Sequence, residues 1–246
     1  MRLIKWERLP EKMQCDEVRK YYDVLKKKRA SLFFKRLFDV VASAIMLVLL
    51  SPLFVILAIA IKADSRGPVF YRQTRVTQYG KEFRIFKFRT MVNGADKKGT
   101  LVTVGGDARI TRVGKLIRKC RLDEISQLID VFRGKMTFVG TRPEVPKYVD
   151  RYTPEMLATL LLPAGVTSET SIFYKDEDEL LAGAADPDEV YATEILPEKM
   201  KINLNSLKNF SFSRDIKVMF MTVFAVLGKK YKPEVAENNT DEKKAR

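Results

Sequence analysis

The chain has 246 residues, with 45 Lys and Arg against 31 Asp and Glu, a formal charge of +14, two cysteines and no histidine. The length allows one domain with a sizeable core, and 46% hydrophobic residues exclude a disordered chain. The missing histidine excludes Ser-His-Asp and Cys-His catalysis, His-ligated zinc and an imidazole base, and Cys15 and Cys120 form no CxxC pattern, so a reducing compartment fits best.

Residues 1–39 hold 12 basic against 6 acidic residues. Residues 21–38 read as an amphipathic helix, with Leu25, Leu32, Phe33 and Phe34 set among Lys and Arg. Such a helix suits an anionic leaflet, at about 1 kcal/mol per basic residue, or simply solvent. Residues 40–61 follow, 22 positions without a charge. As one helix they measure roughly 33 Å, against about 30 Å for a hydrocarbon core. A core helix or a cleaved signal peptide fits them less well. Ser51 and Pro52 fall in the middle, where proline removes a hydrogen bond and kinks or breaks the helix. Both flanks are basic, with Lys35 and Arg36 before and Lys62 and Arg66 after. The positive-inside rule then draws both ends to the cytoplasm. A kinked span and a re-entrant helix–break–helix both fit these residues.

Residues 62–121 carry 16 basic against 4 acidic residues, so the positive charge is concentrated just after the apolar segment. Short strands are predicted at 69–71 and 83–89; the second presents Arg84, Lys87 and Arg89 to solvent or to an anion. Residues 93–107 read as a mobile loop, and 110–122 and 124–132 as helices on either side of Asp123. Residues 175–199 are acidic, 9 against 2, and read as a solvated face. Residues 215–227 form an apolar helix too short to span, and 232–246 a polar disordered tail. The basic excess calls for a polyanion. Without an aromatic stacking pattern or a helix-turn-helix signature, nucleic acid as that polyanion rests on charge alone.

Arg118-Lys119-Cys120-Arg121-Leu122-Asp123-Glu124 sets two adjacent carboxylates among cations. Structurally, Asp123 is placed to cap the helix that starts near Glu124. Chemically, a carboxylate at a helix start beside arginine stays ionised and weakly basic, which suits a nucleophile at phosphorus. A neighbouring carboxylate suits Mg²⁺, and the arginines suit phosphoryl oxygens. Gly140-Thr141-Arg142-Pro143-Glu144 holds a guanidinium in a stiff loop, fit for a phosphate or a base edge, or for a plain structural turn.

The landmarks occur in a fixed order: KRLFDVVAS (35–43), Ser51-Pro52, KFRTM (87–91), Arg112 to Arg118, LDEISQL (122–128) and VGTRP (139–143). Over residues 35–230 the chain resembles the bacterial sugar transferases, the monotopic phosphoglycosyl transferases. The resemblance implies a small α/β catalytic domain with a re-entrant membrane helix at about 36–62, broken at Ser51-Pro52, and interfacial amphipathic helices. Residues 1–34 would be a basic extension and 231–246 a tail. It implies transfer of a sugar-1-phosphate from a UDP-sugar to polyprenyl phosphate on the cytoplasmic face of the inner membrane, with release of UMP. Asp123 matches the covalent nucleophile, Glu124 the Mg²⁺ ligand, Arg118 a phosphate-coordinating arginine, and Arg142 and Pro143 the uridine end. Lys87, Arg89 and Arg112 join them as candidate substrate-binding residues. Anionic lipids are expected partners and nucleic acid is not; a homodimer is left open. Thr141 and Ser126 replace prolines of the family pattern, and residues 163–181 resemble a subgroup with a Tyr-Lys-Asp-Glu element, which leaves the sugar open. A non-catalytic membrane-anchored polyanion binder or scaffold is the alternative reading.

Overall fold

The computed structural model describes residues 1, 3–95, 107–174, 186–229 and 231. Most of the expected 93–107 loop, the 232–246 tail and the Tyr-Lys-Asp-Glu element beyond Tyr174 lie outside them. Helix α1 (Asp16–Lys27) carries acids in its first turn and lysines in its last, matching the helix dipole. Its Val18, Tyr21, Tyr22 and Leu25 repeat at helical spacing and are all buried. They join Met13 and Leu32 in the largest core cluster. The predicted amphipathic helix over 21–38 therefore divides. The chain bends at Lys28 (φ −100°, ψ 27°), which leaves Leu25 and Leu32 in the core while Phe33 and Phe34 are 60% and 54% exposed. Leu25 and Leu32 share one core cluster with residues such as Val76 and Leu161, so the basic segment packs on the rest of the fold.

Helices α2 (Arg29–Leu49) and α3 (Ser51–Asp64) meet at Leu50 with a 60° bend. Pro52 sits in the first turn of α3, where a missing N–H costs nothing. The Ser51 hydroxyl donates to the Val48 carbonyl at 2.7 Å, meeting a group the break frees. No single helix among the described residues is long and apolar enough to cross a membrane; the bent pair together is. Ile45, Val48, Leu49, Val55, Ile56 and Ile59 are exposed around the bend.

The foot of α2 is a polar ridge facing inward. Lys35, Asp39 and Ser43, four residues apart, are all buried. Lys35 Nζ donates to the Val139 carbonyl and to Asp215 Oδ2, each at 2.6 Å. Arg36 donates to the carbonyls of Val131 and Phe132. Asp39 accepts from the Thr137 hydroxyl and the Phe138 amide. Two cations that read as membrane flanks therefore serve as internal clamps.

Strand β1 (Phe70–Val76) pairs antiparallel with β2 (Glu82–Phe88), Phe70 opposite Phe88. Helix α4 (Arg112–Lys119) is capped by the Thr111 hydroxyl, which accepts from the Gly114 amide. A 3₁₀ turn (Leu122–Gln127) and α5 (Leu128–Phe132) follow, then β3 (Met136–Val139) and α6 (Pro146–Val149). Strand β4 (Ala164–Thr167) pairs parallel with β3. Helices α7 (Glu169–Phe173), α8 (Pro187–Val190), α9 (Leu196–Lys208) and α10 (Phe212–Val226) complete the described chain. The fold is thus mixed α/β, mostly helical, with two small sheets among the described residues. In the expected apolar helix, now α10, Val218 and Ala225 are buried while Phe220, Val223, Phe224, Val226 and Leu227 are exposed.

Candidate active site

A cavity of about 610 Å³ opens along the β1–β2 hairpin. Seven cations line it: Arg72, Arg75, Arg84, Lys87, Arg89, Arg109 and Arg118. Asp123 is the one acid among its described lining residues. A cavity of this charge selects an anionic ligand.

Asp123 does not cap a helix. Arg121 takes the left-handed conformation (φ 52°) and turns the chain into the 3₁₀ segment, with Asp123 at its second position and no side-chain cap. Burial raises the Asp123 carboxyl above its ordinary value, Lys87 and Arg118 oppose that, and the Glu124 charge adds to it. The sequence reading of a weakly basic carboxylate held by arginine misses this burial and the neighbouring charge.

Glu124 has the opposite fate. Lys87 Nζ donates to its Oε1 at 2.9 Å, and Arg142 closes on both its oxygens with Nη1 and Nη2. Burial alone would raise this carboxyl, but the charges and hydrogen bonds of Arg142 and Lys87 hold it well below the usual range. A strand, a 3₁₀ turn and the loop after β3 thus converge on one carboxylate. Gly140 and Gly165 shape that loop: a Cβ on Gly165 would lie 2.2 Å from the Gly140 nitrogen and oxygen. This close approach lets the Gly165 amide donate to the Thr141 carbonyl at 2.8 Å, one residue before Arg142.

Arg118, on α4, donates from Nε to the Thr90 hydroxyl at 3.0 Å and faces the cavity. Arg89 differs from the expectation that it is offered to an anion. It is 4% exposed, and its guanidinium donates to the carbonyls of Ile61, Ser65 and Arg66 and to the Ser65 hydroxyl. The end of α3 presents the negative end of the helix dipole and, just past it, the carbonyls of Ser65 and Arg66, and these hold the guanidinium. Arg89 thus lines the cavity with its charge already held by backbone carbonyls, whereas Arg112 falls outside: it is exposed at the start of α4, near Asp64, and does not line the cavity. Ser51 and Pro52 lie at the helix bend, outside the cavity lining. Pro143 follows Arg142, and its carbonyl accepts from Arg75. Arg75 was not singled out in the sequence: the strand predicted at 69–71 stops short of it, whereas β1 runs on to Val76.

The fold and cavity define an anion-handling protein with a carboxylate pair set among cations. The sequence model described as bacterial sugar transferase matches residues 30–229, and the chain belongs to that family. It is 35% identical over 198 residues to a UDP-N-acetylgalactosamine-undecaprenyl-phosphate N-acetylgalactosaminephosphotransferase of Aeromonas hydrophila, covering 79% of this chain and 44% of that protein. It is 34% identical over 196 residues to a UDP-glucose:undecaprenyl-phosphate glucose-1-phosphate transferase of Caulobacter vibrioides, covering 78% and 69%. It is 33% identical over 215 residues to an undecaprenyl-phosphate galactose phosphotransferase of Salmonella typhimurium, covering 81% and 42%. The matched region spans less than half the length of the Aeromonas and Salmonella relatives.

Proposed function

We propose that the chain transfers a sugar-1-phosphate from a UDP-sugar to polyprenyl phosphate. The observation that carries this reading is Asp123 on the wall of a cationic cavity, next to a Glu124 clamped by Lys87 and Arg142. The names of the relatives support the same reaction class. Those names cover three sugars at similar identity, so the donor sugar stays outside the proposal.

In the first step an Asp123 oxygen attacks the phosphorus that bears the sugar. The bond from that phosphorus to the UMP oxygen breaks, and UMP leaves with the electron pair. In the second step an oxygen of polyprenyl phosphate attacks the same phosphorus. The aspartyl–phosphorus bond breaks, the carboxylate returns, and polyprenyl diphosphate sugar forms. Both nucleophiles are already anions, so neither step needs a histidine base. Arg118, with Arg72 and Arg84 of the hairpin, stabilises charge on the phosphoryl oxygens.

The donor chemistry fits Mg²⁺, a hard cation that one or two carboxylates hold while substrate phosphates fill its shell. No cluster of three or more His, Cys, Asp or Glu side chains exists among the described residues, so substrate oxygens would complete the set. Glu124 is the residue that would hold it: Oε1 already accepts from both Lys87 and Arg142, while Oε2 accepts from Arg142 Nη1 and keeps a second acceptor position for the ion. When bound, the ion supplies charge neutralisation on the phosphates.

The bent α2–α3 pair, with its apolar bend and both ends on the body of the fold, supports a re-entrant membrane helix on the cytoplasmic face of the inner membrane. Basic residues at its base suit anionic lipids. The test is UMP release by the full chain with undecaprenyl phosphate and a panel of UDP-sugars. Release with one or more donors, dependent on the lipid acceptor, is expected; no release with any donor would overturn the reading.

A further inference from the structure

Behind the Arg142 loop lies a buried polar chain that the two steps above leave unused. Arg75, in β1, donates from Nη1 to the Pro143 carbonyl at 2.9 Å. Its Nε and Nη2 donate to Gln73 Oε1 at 3.0 and 2.7 Å. Arg75 Nη1 also lies 4.0 Å from Glu144 Oε2. Glu144 is 6% exposed, and its Oε1 accepts from the Tyr191 hydroxyl at 2.6 Å. The Tyr191 oxygen in turn accepts from Lys199 Nζ at 3.0 Å.

The direction of this chain is fixed by chemistry. An ammonium only donates and a carboxylate only accepts, so the Tyr191 proton points to Glu144. Such charge-assisted bonds in a dry setting are short and strong. The backbone brings Tyr191 there through a local irregularity. Residues 191–195 form a π turn before Pro197 of α9. Pro197 has no N–H for the Thr193 carbonyl, and the helix widens rather than breaks.

Between β3 and α6 the chain is irregular; backbone hydrogen bonds hold it at Gly140, Thr141 and Glu144, and side chains add the hold on the Pro143 carbonyl and the Glu144 carboxylate. Arg75 holds Pro143 and Tyr191 holds Glu144, the two residues that follow Arg142. We infer that Arg75, Glu144 and Tyr191 are positioning residues that aim the Arg142 guanidinium at Glu124 and at the nucleotide. The inference rests on the transferase reading.

The experiment is a double-substitution cycle on the full chain in phospholipid nanodiscs. Tyr191→Phe and, as a second probe, Arg75→Lys are each made in the wild type and in Arg142→Lys. UMP affinity is read by calorimetry with Mg²⁺ present, kcat and KM by UMP release, and folding by thermal melting. In the wild-type background we expect either change to weaken UMP binding and lower kcat/KM about tenfold, with the KM for polyprenyl phosphate unchanged. In the Arg142→Lys background the same changes lose less than about twofold, because the residue they act through is already altered. Equal losses in both backgrounds overturn the positioning role. If Tyr191→Phe does not fold, the Arg75→Lys cycle decides alone. Wild-type protein that neither binds nor releases UMP overturns the transferase reading itself, a result distinct from equal losses in an active enzyme.

Discussion

Lys35 Nζ lies 2.6 Å from Asp215 Oδ2, joining residues 180 positions apart at a site with almost no exposure. The bond ties the foot of α2 to α10, and the same nitrogen holds the Val139 carbonyl, three residues before Arg142. Removing one partner of a buried pair leaves an uncompensated charge. Lys35→Met should therefore destabilise the fold by about 3–5 kcal/mol, read as a shift in the denaturant midpoint in detergent. Lys35→Met with Asp215→Leu should recover part of that loss. A single variant as stable as wild type would deny the clamp.

Asp123→Asn should abolish sugar-phosphate transfer while membrane insertion and folding persist. The amide cannot form the acyl phosphate on which both steps depend. Normal turnover by this variant, measured as UMP release, would remove Asp123 as the nucleophile.

Excess EDTA should stop UMP release, and added Mg²⁺ should restore it. Undiminished activity in the chelator would count against a metal at Glu124.

Acid should weaken the Glu124 contribution. Arg142 and Lys87 outweigh its burial and hold its folded-state pKa low. A depressed carboxyl stabilises the fold above the unfolded value of about 4.3, and that stabilisation is lost as pH falls toward the folded value. The stability advantage of wild type over Glu124→Gln should be full at pH 7 and shrink below about pH 4. Urea unfolding across that range measures it, and a constant gap would show that the two cations do not hold the carboxyl down.

Tags at the N-terminus and beside Asn93 should both label from the cytoplasmic side. Labelling from opposite sides would make α2 and α3 a crossing segment.

The Asp123-Glu124 and Arg142-Pro143 motifs were legible because their residues are neighbours in sequence. The break at Ser51-Pro52 was legible for the same reason: proline acts on its own turn. Arg89 was misread because strand alternation tells which side a residue leaves, while the end of α3 that captures it lies more than twenty residues earlier. Lys35 and Arg36 were counted as flanking charge because a topology rule counts charges without asking what they bind. For Leu25 the sequence offers a leaflet or solvent and not the core, because an amphipathic face announces an apolar partner without naming it.

The sequence by itself determined the chemistry available: carboxylates and cations without imidazole, an apolar segment broken at a proline, and the ordered motifs of one family. Only the tertiary structure decided which cations face the cavity and which lock the frame. It also decided that two adjacent carboxyls shift in opposite directions. Local sequence sets hydrogen-bonding capacity and backbone preference, but burial and charge pairing depend on contacts between distant segments, such as Lys87 and Arg142 meeting on Glu124.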